Sequence, residues 1–553
     1  MKTMKKLFAL LLAVLMVMGM ATTAMAETIT ITINNDAAQH RYEAYQVFSG
    51  TLSSSGVLSD VEWGTGVNGD DLLTALKASG LFLKDGVNAF AGCADAEDVA
   101  NIISKWNKDE TPIKNFADIV SSNLATISGQ SNGKSNDDKY VITVTGPGYY
   151  FIKDADAVTG NNVISDHMLY VVKSLEIFPK DSEHTFSKTV NNTLEGTYVN
   201  GMDAQIGDTV YFKLETKLPS RFHDYKQYRM YMEDVLPAGL EFNRLEEIYV
   251  AHASGGHTYY YNAEASNPAD NAYSQDDSTT SELSYARKFG FAGNKLIVNF
   301  GDLKITQTNP NLNDTITVKY SAILKENPGT PETDVVFGKG ADGKGNQNAA
   351  TVYFSNNMNE NSATSFGSIT DTASVYTYQL EVTKQDSQTQ APLADAEFYL
   401  YRKVTNADNS ESTMYAVLDA NKVISNWTIV KGDATVLTSG ADGKFVVKGL
   451  DSLIYHLEEK TAPEGYNKME ETVKVTISGT IDGDELTALT GSADSNVGTG
   501  TVNEGKLAVT VDNNPGTMLP TTGGIGTTIF YIVGGVLVLG AGAAFVMKRR
   551  NEA

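Results

Sequence analysis

The chain has 553 residues, with 43 Lys and Arg against 67 Asp and Glu, for a net charge of −24. A surface that acidic repels nucleic acid and anionic lipid, which excludes both as binding partners. The length allows about three domains with cores of their own, and the single cysteine, Cys93, permits no internal disulfide, so durability must come from elsewhere.

At the N-terminus Lys2, Lys5 and Lys6 precede the apolar stretch Leu7 to Met20, and Ala24 and Ala26 put small residues where a signal peptidase cuts. Residues 1–26 therefore read as a secretory signal peptide, with the rest expected outside the cell. The next segment, 27–180, is expected to be mixed α+β. Glu27–Ile33 and Tyr140–Thr145 alternate as strands do, whereas Asp71–Ala78, Ala96–Trp106 and Ile113–Ala125 place apolar residues three or four apart, as helices do. Cys93, within Phe90-Ala91-Gly92-Cys93-Ala94, is expected to pack as a small hydrophobe. Gly129-Gln130-Ser131-Asn132-Gly133 matches the nucleophile-elbow string, but it lies in a polar loop before a strand rather than on a strand-to-helix turn. The segment closes on Leu175-Glu176-Ile177-Phe178-Pro179-Lys180. Pro179 disfavours continuing the ladder and presents Lys180 at a junction, where a solvated amine is open to a large partner.

Residues 181–378 carry short alternating runs, among them Thr209–Leu214, Lys295–Phe300 and Thr315–Tyr320, parted by Gly, Asn and Asp turns. That pattern predicts an antiparallel, Ig-like β-sandwich. The strand period of two puts Phe186 with Lys188, Met230 and Met232 with Asp234, and Val352 and Phe354 with Asn356 on shared faces. Asn348 has the same parity as Asn356; Asn356 is preferred because it ends its strand. His252 and His257 sit in a Gly/Ser loop without a further clear ligand and read as solvated. No metal or cofactor is expected.

Val375–Leu380 runs directly into the third segment, 379–516, with no room for a flexible linker. Gln379–Thr383 and Thr472–Ile477 predict a second sandwich. Here the parity count turns Lys384 inward with Leu380 and Val382, Glu459 with Tyr455 and Leu457, and Asn513 with Val509 and Val511. Burial disfavours the charged form of a lysine and of a carboxylate alike. A neutral Lys384 is a nucleophile, and a protonated Glu459 can polarise the Asn513 carboxamide and relay protons, so that an isopeptide bond forms and ammonia leaves. Asp408-Asn409-Ser410-Glu411-Ser412 matches a metal-site string of von Willebrand A-type adhesin domains, but no hydrophobic parallel strand precedes it.

The tail, 519–553, reads Leu519-Pro520-Thr521-Thr522-Gly523, then nineteen apolar residues from Ile529 to Met547, then Lys548-Arg549-Arg550. The apolar run spans about 30 Å as a helix, one bilayer core, and the basic cluster halts translocation behind it.

These residues carry a resemblance. The tail resembles the cell-wall sorting signal of Gram-positive surface proteins, which implies sortase cleavage between Thr522 and Gly523. Tyr455-His456-Leu457-Glu458-Glu459-Lys460-Thr461-Ala462-Pro463-Glu464-Gly465-Tyr466 resembles the E-box of Gram-positive shaft pilins and collagen-adhesin B-type modules, with Lys-Thr-Ala-Pro as a local departure. In that family the glutamate at the position of Glu459 promotes a Lys–Asn bond, here Lys384 to Asn513. Asp234 to Leu240 is similar to the acid-bearing segment of the A-type pilin module, with Lys188 and Asn356 (or Asn348) in the bonded positions. Leu175 to Lys180 resembles the pilin motif, whose lysine accepts the sortase-bound threonine of the next subunit. The resemblance implies a structural, non-enzymatic subunit of a sortase-assembled pilus. Its partners would be a pilin-class sortase, identical subunits, minor tip and basal pilins, peptidoglycan through a housekeeping sortase, and a host-surface ligand. A singly anchored adhesin or basal pilin is the alternative.

Overall fold

The computed structural model describes residues 28–35, 40–53, 56–106, 111–135, 139–155, 167–171, 175–177, 184–219, 222, 225–264, 274–275, 287–304, 314–326, 334–357, 366–406, 408–517 and 526–551. The expected signal peptide, Phe178 to Lys180, and Leu519 to Gly523 lie outside them.

The first strand, Thr28–Asn34, buries Ile29, Ile31 and Ile33 and turns its threonines outward. It pairs antiparallel with Lys139–Thr145 and parallel with Leu175–Ile177. A second sheet, ordered Leu58–Trp63, Tyr42–Leu52, Gly148–Asp154 and His167–Val171, accompanies the helices Gly69–Ala78, Ala96–Ile103 and Thr111–Ser121. The helices bury Leu72 and Leu76, Val99 and Ile103, Phe116 and Val120, the three-or-four spacing read in the sequence. Cys93 is packed in the same core as Phe48, Phe82 and Phe90. Asp95 caps the second helix by accepting from the Asp98 backbone N–H.

From Thr185 to Tyr376 the chain builds two facing sheets. One has five strands, ordered Thr185–Asn191, Thr209–Lys217, Thr315–Leu324, Leu240–Ala251 and His257–Asn262. The other has seven, ordered Gly201–Asp203, Phe366–Tyr376, Asn346–Ser355, Arg229–Val235, Lys295–Asp302, Lys288–Ala292 and Ser274–Gln275. Val210, Phe212 and Leu214 from the first sheet share one core with Met230, Met232, Val352 and Phe354 from the second.

Thr377 alone separates Tyr376 from the next strand, Tyr378–Asp386. That strand lies parallel to Lys506–Asn513, the last strand of the chain, so the beginning and end of this sandwich are neighbours. Its other face is the larger sheet around Glu397–Thr405, Ile454–Thr461 and Val473–Asp482.

The two sandwiches meet closely. Lys339 and Gly340 donate their backbone N–H groups to Val502 and Asn503, each at 2.9 Å, and Tyr376 Oη donates to the Asp484 carbonyl at 2.7 Å. A Cβ on Gly338 or on Gly505 would come within 2.2 Å of the other's backbone, and both adopt positive φ, +60° and +58°. Glycine is required at both places.

The helix Gly526–Asn551 carries Lys548, Arg549 and Arg550 in its last turn. Within its segment Ile529–Arg550 an 18-residue stretch has a mean hydropathy of 2.3 and none of that stretch is buried in the protein, which suits a single membrane crossing.

Candidate crosslinking sites

In the C-terminal sandwich the three inward positions converge. Lys384, on the first strand, and Glu459, on Ile454–Thr461, have side chains 0% exposed, and Lys384 Nζ lies 3.8 Å from Glu459 Oε1. Asn513, at the end of the last strand, donates from Nδ2 to the same Oε1 at 3.2 Å. Glu459 Oε2 accepts the Met469 backbone N–H at 2.7 Å, which fixes the carboxyl group between amine and carboxamide. Lys384 Nζ also donates to the Asp512 carbonyl at 3.0 Å and lies 5.7 Å from the centre of the Phe398 ring. Burial pulls its pKa down to about 8, against the opposing pull of Glu459 and Asp512.

The middle sandwich assembles a second cluster across its two sheets. Lys188 reaches from the five-stranded sheet and donates to Asp234 Oδ2 of the seven-stranded one. Burial lowers the lysine pKa despite the adjacent Asp234, and burial raises that of Asp234 despite Lys188, so both are driven toward their neutral forms. Tyr320 stands at the centre. Its hydroxyl donates to Asp234 Oδ2 at 2.7 Å and accepts from Lys188 Nζ at 3.2 Å and from Asn348 Nδ2 at 2.6 Å.

The asparagine that joins this cluster is Asn348 rather than the expected Asn356. Ala350 is the register partner of both Asp234 and Asp371, and Asp371 Oδ2 accepts the Lys188 backbone N–H at 2.7 Å, so the lysine lies over that end of the strand. Asn348 is two residues from Ala350. Asn356 is six residues away in the other direction, on the order of 20 Å at strand rise, and although it is buried it cannot reach the amine.

The remaining readings resolve without chemistry. Ser131 is buried and its Oγ accepts the Tyr42 backbone N–H at 3.0 Å, a structural contact beside an edge strand rather than an exposed nucleophile. His252 is hydrogen-bonded at both nitrogens, to Asp314 at 2.9 Å and Thr258 at 2.8 Å, instead of being simply solvated, while His257 packs edge-on against Tyr259. Asp408 Oδ1 accepts the Ser410 N–H in a turn. Among the described residues no group of three or more His, Cys, Asp or Glu is arranged to hold a metal. Among the described residues the first group of sheets buries no lysine; its buried polar contacts include His40 with Asp154, 2.6 Å apart, and Tyr45 with Glu43.

Residues 378–487 match the SpaA family, described as a prealbumin-like fold domain, and residues 512–553 match the LPXTG cell wall anchor motif. The trypsin-resistant surface T6 protein of Streptococcus pyogenes serotype M6 is 22% identical over 466 residues, covering 77% of this chain and 78% of the relative. Among solved structures, the T6 backbone pilin of the same serotype aligns with a TM-score of 0.49 at 15% identity, covering 89% of this chain and 99% of that one. The full-length major pilin SpaD from Corynebacterium diphtheriae aligns with a TM-score of 0.47 at 15% identity, covering 90% and 100%.

Proposed function

We propose that this chain is the backbone subunit of a covalently polymerised surface pilus, anchored to the cell wall and stiffened by two self-made Lys–Asn bonds. The observation that carries the reading is one constellation built twice. Each sandwich buries a lysine, a carboxyl group and an asparagine in contact, in a chain that ends in a cell-wall anchor. Such burial without reaction is a cost to folding, and the arrangement is the one amide formation needs.

In the C-terminal sandwich a pKa near 8 leaves an appreciable part of Lys384 as the free amine at neutral pH. Nζ attacks Cγ of Asn513, and Glu459, hydrogen-bonded to the carboxamide and near the amine, moves protons from Nζ to the departing Nδ2. The Nζ–Cγ bond forms, the Cγ–Nδ2 bond breaks, and one ammonia leaves. In the middle sandwich Lys188, Asp234 and Asn348 take the same parts. In this reading the domains divide near residues 181 and 379.

Polymerisation joins Thr522 of one subunit to Lys180 of another through a pilin-class sortase that recognises Leu519 to Gly523. A housekeeping sortase attaches the base to peptidoglycan, minor pilins cap the two ends, and a host-surface ligand is left to those caps or to the subunit's exposed loops. Lys180→Arg keeps the charge and removes the reactive amine. Detergent-resistant multimers on an immunoblot of surface extracts should vanish while the folded monomer persists. A full ladder in the mutant would assign the acceptor to another amine, and a single band in the wild type would favour a lone wall-anchored adhesin.

A further inference from the structure

We propose that Tyr320 is a catalytic residue of the middle crosslink, the proton carrier between Asp234 and the leaving nitrogen of Asn348; the inference rests on the crosslinking reading above. Tyr320 lies on Thr315–Leu324, the central strand of the five-stranded sheet, and is 0% exposed. A buried phenol needs a partner for its hydroxyl, and one would suffice. This one has three, and all three are the reacting groups: Asp234 Oδ2 at 2.7 Å, Asn348 Nδ2 at 2.6 Å and Lys188 Nζ at 3.2 Å.

The two sandwiches differ at this point in a way that gives the phenol its task. In the C-terminal site Glu459 Oε1 takes the hydrogen bond from the carboxamide nitrogen of Asn513 itself. Asp234 is one methylene shorter, and although its carboxyl group also senses the Asn348 carboxamide, the short hydrogen bond from that nitrogen goes to Tyr320, which in turn donates to Asp234. The carboxamide is also held in an orientation suited to attack. Its nitrogen, the atom that must leave, faces the phenol, and its Oδ1 is buried without a hydrogen-bond partner.

The proton balance closes on these residues alone. Asp234 takes a proton from the Lys188 ammonium, and the neutral Nζ attacks Cγ of Asn348. Tyr320 then gives its hydroxyl proton to Nδ2 and regains one from Asp234, which takes the second proton from Nζ. The Cγ–Nδ2 bond breaks, ammonia leaves, and Asp234 retains the proton that lysine began with.

The test follows the mature chain, kept unfolded from synthesis and then folded by dilution, with the Lys188–Asn348 and Lys384–Asn513 peptides quantified over time by mass spectrometry of a digest. Tyr320→Phe removes only the hydroxyl. It should slow the Lys188–Asn348 bond by about a hundredfold or more, the scale of general acid–base catalysis, while Lys384–Asn513 forms at the wild-type rate in the same molecules. A second variant carries 3-fluorotyrosine at position 320, which keeps the shape and makes the phenol more acidic. It should move the pH profile of Lys188–Asn348 formation to lower pH, an effect a purely structural hydroxyl would not produce, and it decides the matter if Tyr320→Phe fails to fold. Wild-type rate in Tyr320→Phe, or an unmoved profile in the fluorinated chain, overturns the role of Tyr320 and leaves the crosslink standing. Absence of the Lys188–Asn348 peptide from the wild type overturns both.

Discussion

Lys384 can be studied with its reaction switched off. In Asn513→Ala the amine stays in its apolar pocket with nothing to attack. Its pKa is near 8 in the fold and 10.5 in a free chain, so between those values the unfolded chain holds a proton that the folded one does not. Stability of that sandwich should therefore rise as pH climbs from about 8 toward 10.5, and the burden is fully present below 8. Denaturant midpoints at pH 7.5 and 10 check this, with Lys384→Met added to the same background as the chain that should lose the slope. His184 gives a second window. Buried between Thr216 Oγ1 at 2.6 Å and Tyr228 Oη at 2.9 Å and stacked on Phe354, its pKa falls from 6.5 to about 3 through burial. The unfolded chain takes up a proton there first, so stability should decline as pH falls below about 6.5, and His184→Gln should flatten the decline in a thermal-melt series.

Period-two counting found Lys188, Asp234, Lys384, Glu459 and Asn513, because a polar residue in step with core residues stands out. It passed over Tyr320, which is in step with Ile316 and Val318 and looks like one more core aromatic. Its role depends on which strands face it, and that is set by tertiary packing. The same limit explains Asn348 and Asn356. Parity is a property of one strand, whereas the choice between them depends on the register of Asn346–Ser355 against Arg229–Val235 and Phe366–Tyr376.

At the scale of elements, strands and helices were legible wherever periodicity ran for several residues. The three early helices and the strands at Thr209, Lys295 and Thr315 lie where apolar spacing put them. The parallel pairing of Tyr378–Asp386 with Lys506–Asn513 was not legible, since it joins segments more than a hundred residues apart. That pairing sets the effect of the C-terminal crosslink. A bond from Lys384 to Asn513 closes almost the whole sandwich into one loop, and by the chain-entropy argument a loop of that size is worth about 4–5 kcal/mol. Intact mass of the folded mature fragment should show two ammonia losses. Glu459→Ala should restore one of them and lower the melting temperature of that sandwich, and two ammonia losses from the mutant's own sequence mass would remove Glu459 from the reaction.

For the whole molecule, crosslinks matter most when the chain is pulled. In a polymer joined Thr522 to Lys180, tension enters each subunit at Lys180, so residues 27–179 hang beside the line of force. With the two proposed bonds formed, it would cross from Lys188 to Asn348 and from Lys384 to Asn513, and the folded chain enclosed by each bond would be bypassed. Between the two bonds the backbone itself must hold, and that stretch contains the last strand of the middle sandwich, Phe366–Tyr376, paired along its length with Asn346–Ser355. Single-molecule pulling between Lys180 and the C-terminus should show a short, recoverable lengthening of at most about 120 Å, the extended reach of the stretch from Asn348 to Lys384, and no unravelling of the chain enclosed by either bond. Longer steps would mean that a bond is missing.

In the proposed polymer that same strand would serve as a shock absorber. Its hydrogen bonds to Asn346–Ser355 run side by side, and those at the Tyr376 end are backed by the tight seat of Gly338 against Gly505. A sudden tug would peel this one ribbon loose, spend the energy there, and let it zip back when the load falls. In such a fibre each subunit would carry one such ribbon, so give would accumulate along its length while every covalent joint stayed closed.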